Sequence, residues 1–335
     1  MPPILPPEMW ISIIKEISQP CSASAYRLDA NCRIALSQLC LVSRAFNKLT
    51  EPLLYQRVFI TPENLRSFAE AVVMLVGESV NPQGYTPTDR GKRVRSLALA
   101  QFREPPTVSQ MQHIGTILYA VRDSVTHLYF DVILRDVDLN SPLHDDVLFS
   151  IHNALRGLQN IEEFCSTTSQ LMWRLAPAWE GLKRLAVSNV VLSRPIIEGL
   201  ARLKALEICI ITVAGSFENS LFQGPNVLIH GDWMRRGMEL VLTVVGIHDL
   251  VFRALLRDPS CLELEKRSDS GKGVLTVMQT AGVAVINSSR GYYYDLASWF
   301  SREVLDGSIW EGDREEWRAY LKREDPRSLI TPMTL

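Results

Sequence analysis

Residue types able to do chemistry are sparse in this chain and rarely meet at a useful spacing. His144-Asp145-Asp146 and His230-x-Asp232 have the ligand types of metal half-sites, since imidazole and carboxylate are common zinc donors. Charged residues at loop ends and helix starts account for both runs more simply. The six cysteines, Cys21, Cys32, Cys40, Cys165, Cys209 and Cys261, show no pairing at metal-ligand spacing. Most sit in apolar surroundings, as buried free thiols do. No Gly-x-Ser-x-Gly turn offers a nucleophile, and no Gly-x-Gly-x-x-Gly follows a strand. Gly271-Lys272 lacks the glycine spacing and the hydroxyl residue of a phosphate loop. Tyr292-Tyr293-Tyr294, with Trp299 and Phe300, forms an aromatic cluster suited to core packing, with partner binding as the second reading. The expectation is a protein that is not an enzyme and uses no metal or cofactor. An enzyme with a cryptic site in the C-terminal third is the alternative, because catalytic groups need only meet in space.

Composition narrows the class further. At 335 residues the chain has room for a small module plus one sizeable domain. Its net charge of −2, with both signs mixed, gives no electrostatic footprint for nucleic acid. The longest apolar stretch, Leu240 to Ile247, is far too short to span a bilayer. The N-terminus lacks a charged region followed by an apolar run, so no signal peptide is expected. Free-thiol usage fits a reducing compartment, cytoplasmic, nuclear or both. Asn287-Ser288-Ser289 would then be silent as a glycosylation acceptor.

The most informative stretch runs from residue 5 to 58. Pro7 suits a first helical turn, where its missing N–H would be unpaired anyway. Glu8 faces the positive end of that helix. Met9, Ile13 and Ile17 share one stripe, and Trp10 and Ile14 line an adjacent one. Such a helix is apolar around more than half its circumference, enough to pack inward on one side and on a partner with the other. A second helix is predicted through Leu36, Leu39, Cys40, Ser43 and Phe46, with Leu41, Val42 and Leu49 widening its stripe. A piece this short has too much surface for its volume to keep a self-sufficient core. An ordinary helix pair at the start of one continuous core is the plainer reading.

Leu5-Pro6-Pro7-Glu8 with Ile13-Ile14, then Leu39-x-Leu41-Val42-Ser43-Arg44-x-Phe46, then Leu53-Leu54-Tyr55, resembles an F-box of the kind found in many fungal proteins. The resemblance covers about a sixth of the chain and is a pattern of apolar positions in order, not a catalytic signature. It departs from the compact pattern in the long connection over residues 18 to 33. It implies a helical bundle over residues 1–60 that binds the Skp adaptor of a cullin–RING (SCF) ubiquitin ligase. The implied adaptor contacts are Leu5, Pro6, Ile13, Ile14, Leu39, Leu41, Val42, Phe46 and Leu54, some of which would pack internally instead.

Residues 61–93 read as a linking helix and loop. Thr61-Pro62-Glu63 marks the helix start, and Leu65, Phe68, Ala69, Val72 and Val76 hold helical spacing. Gly77, Pro82, Gly84, Pro87 and Gly91 punctuate an exposed loop. Residues 94–335 then alternate strands and helices. Val94-x-x-Leu97-x-Leu99 recurs as Val125-x-x-Leu128-x-Phe130, in part as Ile161-x-x-Phe164, and again as Leu182-x-x-Leu185-x-Val187 and Leu203-x-x-Leu206-x-Ile208. Helical stripes lie between, through Val108, Met111, Ile114, Leu118 and Val121, and through Val147, Ile151, Leu155 and Leu158. A strand plus helix every 20 to 30 residues is the signature of leucine-rich repeats. The expected fold class is therefore α/β: an N-terminal helical F-box, then an irregular leucine-rich-repeat-like solenoid of short parallel strands and helices. A non-repeat α/β domain would produce similar patterns.

Past residue 225, strands are expected at 227–229, 240–245, 262–264, 274–277 and 283–286, with a turn at 269–273 and a closing helix over 311–322. If Leu185 and Val187 face the core, Arg184 and Ser188 face outward by alternation, as do Tyr129, Asp131 and Glu207. These five are the candidate target contacts. The implied partners are the Skp adaptor, a cullin and an undefined target protein, with no nucleic acid and no membrane. A scaffold that binds without ubiquitin transfer is the alternative from another class.

Overall fold

A computed structural model describes residues 6–18, 26, 28, 30–75, 85–102, 104–132, 142–167, 179–188, 202–214, 239–245, 274–279 and 300–311. Three helices come first: α1 (Pro7–Ser18), α2 (Ala30–Val42) and α3 (Arg44–Leu54). The expected second helix is thus two. Ser43 breaks it, because its backbone is extended and its Oγ accepts the Phe46 N–H at 3.2 Å as an N-cap. Ile14, Leu28 and Leu36 form the centre of this bundle, with Ile17, Leu39, Phe46, Leu53 and Leu54 packed around them. Trp10 meets Phe46 edge-on at 5.1 Å, and Thr50 Oγ1 lies 2.9 Å from Cys40 Sγ, fastening α3 to α1 and α2.

Next come β1 (Arg57–Ile60), α4 (Leu65–Val72), β2 (Val73–Leu75) and β3 (Tyr85–Pro87), followed by a 3₁₀ turn at Gly91–Arg93. The sheet continues with β4 (Ser96–Phe102), α5 (Val108–Val121), β5 (His127–Val132), α6 (Pro142–Arg156), β6 (Glu163–Ser166), β7 (Arg184–Val187), β8 (Ile208–Ala214), β9 (Glu239–Val245) and β10 (Val274–Gln279). Residues 300–306 are helical (α7), and Ser308–Glu311 makes one further turn (α8). Eight strands form one parallel sheet in the order β1-β4-β5-β6-β7-β8-β9-β10, and β2 with β3 makes a separate antiparallel ribbon. The fold is mixed α/β.

One backbone device recurs at the strand entries. Gln56 O accepts the N–H groups of both Arg95 and Ser96; Arg95 O accepts those of Thr126 and His127; Thr126 O those of Glu162 and Glu163. Glu162 O then serves Lys183 and Arg184, and Lys183 O serves Glu207 and Ile208. Each strand entry is thereby pinned to the one before it, which satisfies backbone groups that burial would otherwise strand.

Side chains alternate between two faces. Leu97, Leu99, Leu128, Phe130, Phe164, Leu185 and Val187 pack under α4, α5 and α6 against Leu65, Ala69, Val72, Met111, Ile114, Leu118, Ile151 and Leu155. Trp179 completes this core, with its Nε1–H donated to Leu155 O at 3.1 Å and its ring 4.7 Å from Phe164. Ala98, Ala100, Tyr129, Cys165, Ala186 and Ile210 lie on the opposite face, under Tyr26, Phe300, Val304 and Ile309. Three alanines there keep that face shallow enough for α7 to approach.

Several expectations shift. Residues 57–60 are the edge strand of the sheet, paired with β4, and do not belong to the helical module. Thr61 to Asn64 forms a turn, with Asn64 Oδ1 accepting the Thr61 N–H, and α4 begins only at Leu65. The expected exposed loop before residue 94 is packed in part: Gly91 is buried, 3.1 Å from Val72 O and Ala120 O as measured from where a Cβ would stand. Both neighbours are backbone, so neither can step aside. Gly91→Ala should destabilise by about 1–3 kcal/mol, read from the urea midpoint. The last repeat slips by three positions. Cys209 stands opposite Leu185 and Ile211 opposite Val187, so the unit is Leu206-x-x-Cys209-x-Ile211, and Ile208 turns to the other face.

The strands expected over 240–245 and 274–277 are present, and β9 joins β8 to β10 in parallel register. The segments 227–229, 262–264, 269–273, 283–286 and 312–322 lie outside the described residues, as do Val76, Tyr292 to Tyr294 and Trp299. Among the described residues no helix is long and apolar enough to cross a membrane.

Candidate docking surface and the opposite face of the sheet

The helical module exposes what a closed core would hide. Among the described residues eight large apolar side chains are exposed, and seven lie between Met9 and Leu49: Met9, Ile11, Ile13, Ile34, Leu41, Val42 and Leu49. Leu41 is 87% and Val42 64% exposed. Apolar residues scattered singly on a surface need no explanation, but this concentration on three short helices does. Arg33, Arg44 and Lys48 are exposed among them, and no acidic residue falls between Ala30 and Leu49, so the helices α2 and α3 carry a basic rim here.

Of the expected adaptor contacts, Pro6, Ile13, Leu41 and Val42 face solvent. Ile14 is buried at the bundle centre, and Leu39, Phe46 and Leu54 are packed against it. Leu5 lies outside the described residues. The neighbours Ile13 and Ile14 separate cleanly because α1 turns Trp10, Ile14 and Ile17 inward. Ile34 joins the exposed set without having been singled out from sequence, as does Ile11, and Leu49, named only for its helical stripe, joins it too. Seven-residue spacing from Ile34 to Leu41 was the signal for the first.

The module is fixed to the sheet at a defined joint. Glu51 pairs with Arg90 at 3.0 Å and Arg93 at 3.5 Å. The Arg90 guanidinium also lies 5.3 Å over the Tyr55 ring, which stacks on Phe68 at 6.3 Å. Partly exposed pairs of this kind contribute little singly. Their value is orientation.

The five target candidates sit on or near the sheet's opposite face, but the chain itself covers most of it. Tyr129 is fully buried and donates its hydroxyl hydrogen to Ser301 Oγ at 2.6 Å. Asp131 accepts from Thr167 Oγ1 at 2.6 Å and from Ser301 Oγ at 3.4 Å. Burial raises the Asp131 carboxyl above its usual range, and bonds from Thr167, the Gln101 backbone and Ser301 oppose that rise. Gln101 stands beside it at φ 66°, where β4 bulges between Leu99 and Phe102. Ser188 is buried, and its hydroxyl finds no partner among the described residues. Arg184 is half-exposed, paired with the buried Glu163 at 3.3 Å and set 5.9 Å from the Trp310 ring. Glu207 is exposed, just before β8. Only Arg184 and Glu207 are open to a partner as the chain stands.

The buried thiols are unsuited to nucleophilic work. Burial pushes the Cys209 thiol far up, and burial with the nearby Glu163 charge does the same to Cys165. Among the described residues no group of three His, Cys, Asp or Glu could hold a metal ion. His144 to Asp146 fall within α6, and His230 and Asp232 lie outside the described residues.

His127 gives a pH handle. The hydroxyl hydrogen of Thr126 goes to Arg95 O at 3.1 Å, so the 2.8 Å contact with His127 places the proton on Nδ1. Burial lowers the His127 pKa below its ordinary 6.5, with Glu163 and Glu162 opposing. The unfolded chain then gains a proton near pH 6.5 that the folded chain refuses, so stability falls as pH drops below that value. His127→Gln should flatten this slope. Urea midpoints at pH 7.5 and 5.5 would show a smaller difference in the variant than in the wild type.

No protein-family description matches the sequence, and no curated protein matches it.

Proposed function

We propose that this chain is a substrate-recognition subunit of an SCF-type cullin–RING ubiquitin ligase. The helical module is an F-box that docks on the Skp adaptor, and the sheet domain is an irregular leucine-rich-repeat-like solenoid that holds a target. One observation carries the docking half: seven of the eight exposed large apolar side chains among the described residues belong to α1, α2 and α3. The strand order supports the solenoid, since it runs along the sheet without the reversal that a doubly wound α/β fold shows. The repeated carbonyl ladder at the strand entries supports it too, as stacked units would produce it.

The chain itself would do no chemistry. Its contribution is effective concentration, because holding target and ubiquitin-loaded enzyme in one complex makes transfer intramolecular. A cytoplasmic or nuclear setting is part of this reading. Affinity capture of the intact chain with mass spectrometry tests it: Skp adaptor and cullin should both be recovered at near-stoichiometric amounts, and recovery of neither removes the reading.

The covered face of the sheet favours a second reading, a scaffold that docks through the helices without presenting a substrate for ubiquitin transfer. Adaptor recovered without cullin would select it.

A further inference from the structure

The connection between α1 and α2 carries two buried residues that serve different cores. Tyr26 is 1% exposed and belongs to the core on the sheet's opposite face, with Tyr129, Cys165, Phe300 and Val304. Its hydroxyl donates to Cys165 Sγ at 3.5 Å, and its ring centre lies 6.0 Å from that of Tyr129. Leu28, two residues on, is buried with Ile14 and Leu36 inside the helical bundle. A short stretch of chain is therefore sewn into both bodies.

We propose that Tyr26 and Leu28 act as a clip that couples the helical docking surface to the opposite face of the sheet, so that a protein gripping the helices controls access to the face around Cys165. Geometry makes the coupling tight. Tyr26 and Leu28 are two residues apart, and two residues of extended chain reach roughly 7 Å at most. The bundle core and the sheet face cannot part beyond that reach without pulling Leu28 from its own core or Tyr26 from the sheet. Loosening the bundle therefore uncovers the Tyr26 socket. A partner that holds α1 and α2 together keeps the socket filled. Sites joined by one shared conformational step influence each other reciprocally.

Two cysteines report on it from within the intact chain. Cys165 lies under Tyr26, whereas Cys209 is equally buried in the core beneath the helices, on the other side of the sheet. The experiment is native-state alkylation with N-ethylmaleimide, with both sites followed by mass spectrometry. Trp10→Ala, which removes the α1 contact with Phe46, should speed labelling of Cys165 about tenfold or more and leave Cys209 at its wild-type rate. In a Tyr26→Ala background Cys165 should already label fast, and adding Trp10→Ala should change it by less than about twofold. An unchanged Cys165 rate in Trp10→Ala overturns the proposal. So does equal acceleration at both cysteines, which would be global unfolding. If Tyr26→Ala fails to fold, the Trp10→Ala arm decides alone.

Discussion

Leu41→Lys with Val42→Lys should weaken capture of the Skp adaptor at least about a hundredfold while leaving the fold intact. The two side chains are 87% and 64% exposed, so neither supports the bundle core. They end α2, where lysine is compatible with the negative end of the helix dipole, and a stability change beyond about 0.5 kcal/mol is not expected. The loss in binding comes from two sources. Burial of each apolar side chain at an interface is forfeited, and two ammonium groups must be desolvated or must push the surfaces apart. Central apolar positions commonly cost 2 kcal/mol or more each when lost, so a factor of about a hundred is a lower estimate. Calorimetry of binding and a urea curve on the same preparation separate a docking defect from an unfolded module. Unchanged affinity would mean that these side chains face nothing.

Phe300→Ala should produce the largest loss of stability among the changes considered, about 3–5 kcal/mol. Phe300 is fully buried although its strand partners lie far back in the chain, and its neighbour Ser301 bonds Tyr129 across 172 residues. Its removal leaves a cavity in the core it shares with Ala98, Ala100 and Ala186, residues too small to fill it. Phe149, 67% exposed on α6, offers the contrasting case: Phe149→Ser should change stability, read from a urea curve, by no more than about 0.5 kcal/mol. A small effect of Phe300→Ala would mean that α7 is loosely held and the sheet face is open to partners.

The strand and helix alternation was legible because burial imposes its period on the sequence. The stripes on α5 and α6, and the Leu-x-x-Leu-x-Leu frames before and within β4, β5 and β7, are what one buried face per element requires. The break at Ser43 was written in the residue type as well, since serine is a strong cap, but the apolar spacing on both sides continued through it and masked the stop. The slip at β8 had no such cue. Leu203, Leu206 and Ile208 fit the frame as well as Leu206, Cys209 and Ile211, and only pairing with β7 decides between them.

The candidate site divides along the same line. Ile13 and Ile14 are chemically identical, and sequence cannot say which one α1 turns toward Leu36. Alternation did place Tyr129, Asp131 and Arg184 on the face away from the helices, yet the cover formed by Tyr26 and α7 was invisible because it joins segments far apart in the chain. Arg57 to Ile60 was absorbed into the helical module for a similar reason: a four-residue strand reads as a helix end until its partner, β4, is seen.

On the proposed reading, the three N-terminal helices are an incomplete surface that the Skp adaptor completes. Isothermal titration of the purified intact chain with purified adaptor tests it most directly. One saturable site of 1:1 stoichiometry is expected, with a negative heat-capacity change, the mark of apolar burial. Absence of binding heat at several temperatures, with both proteins folded, would contradict it.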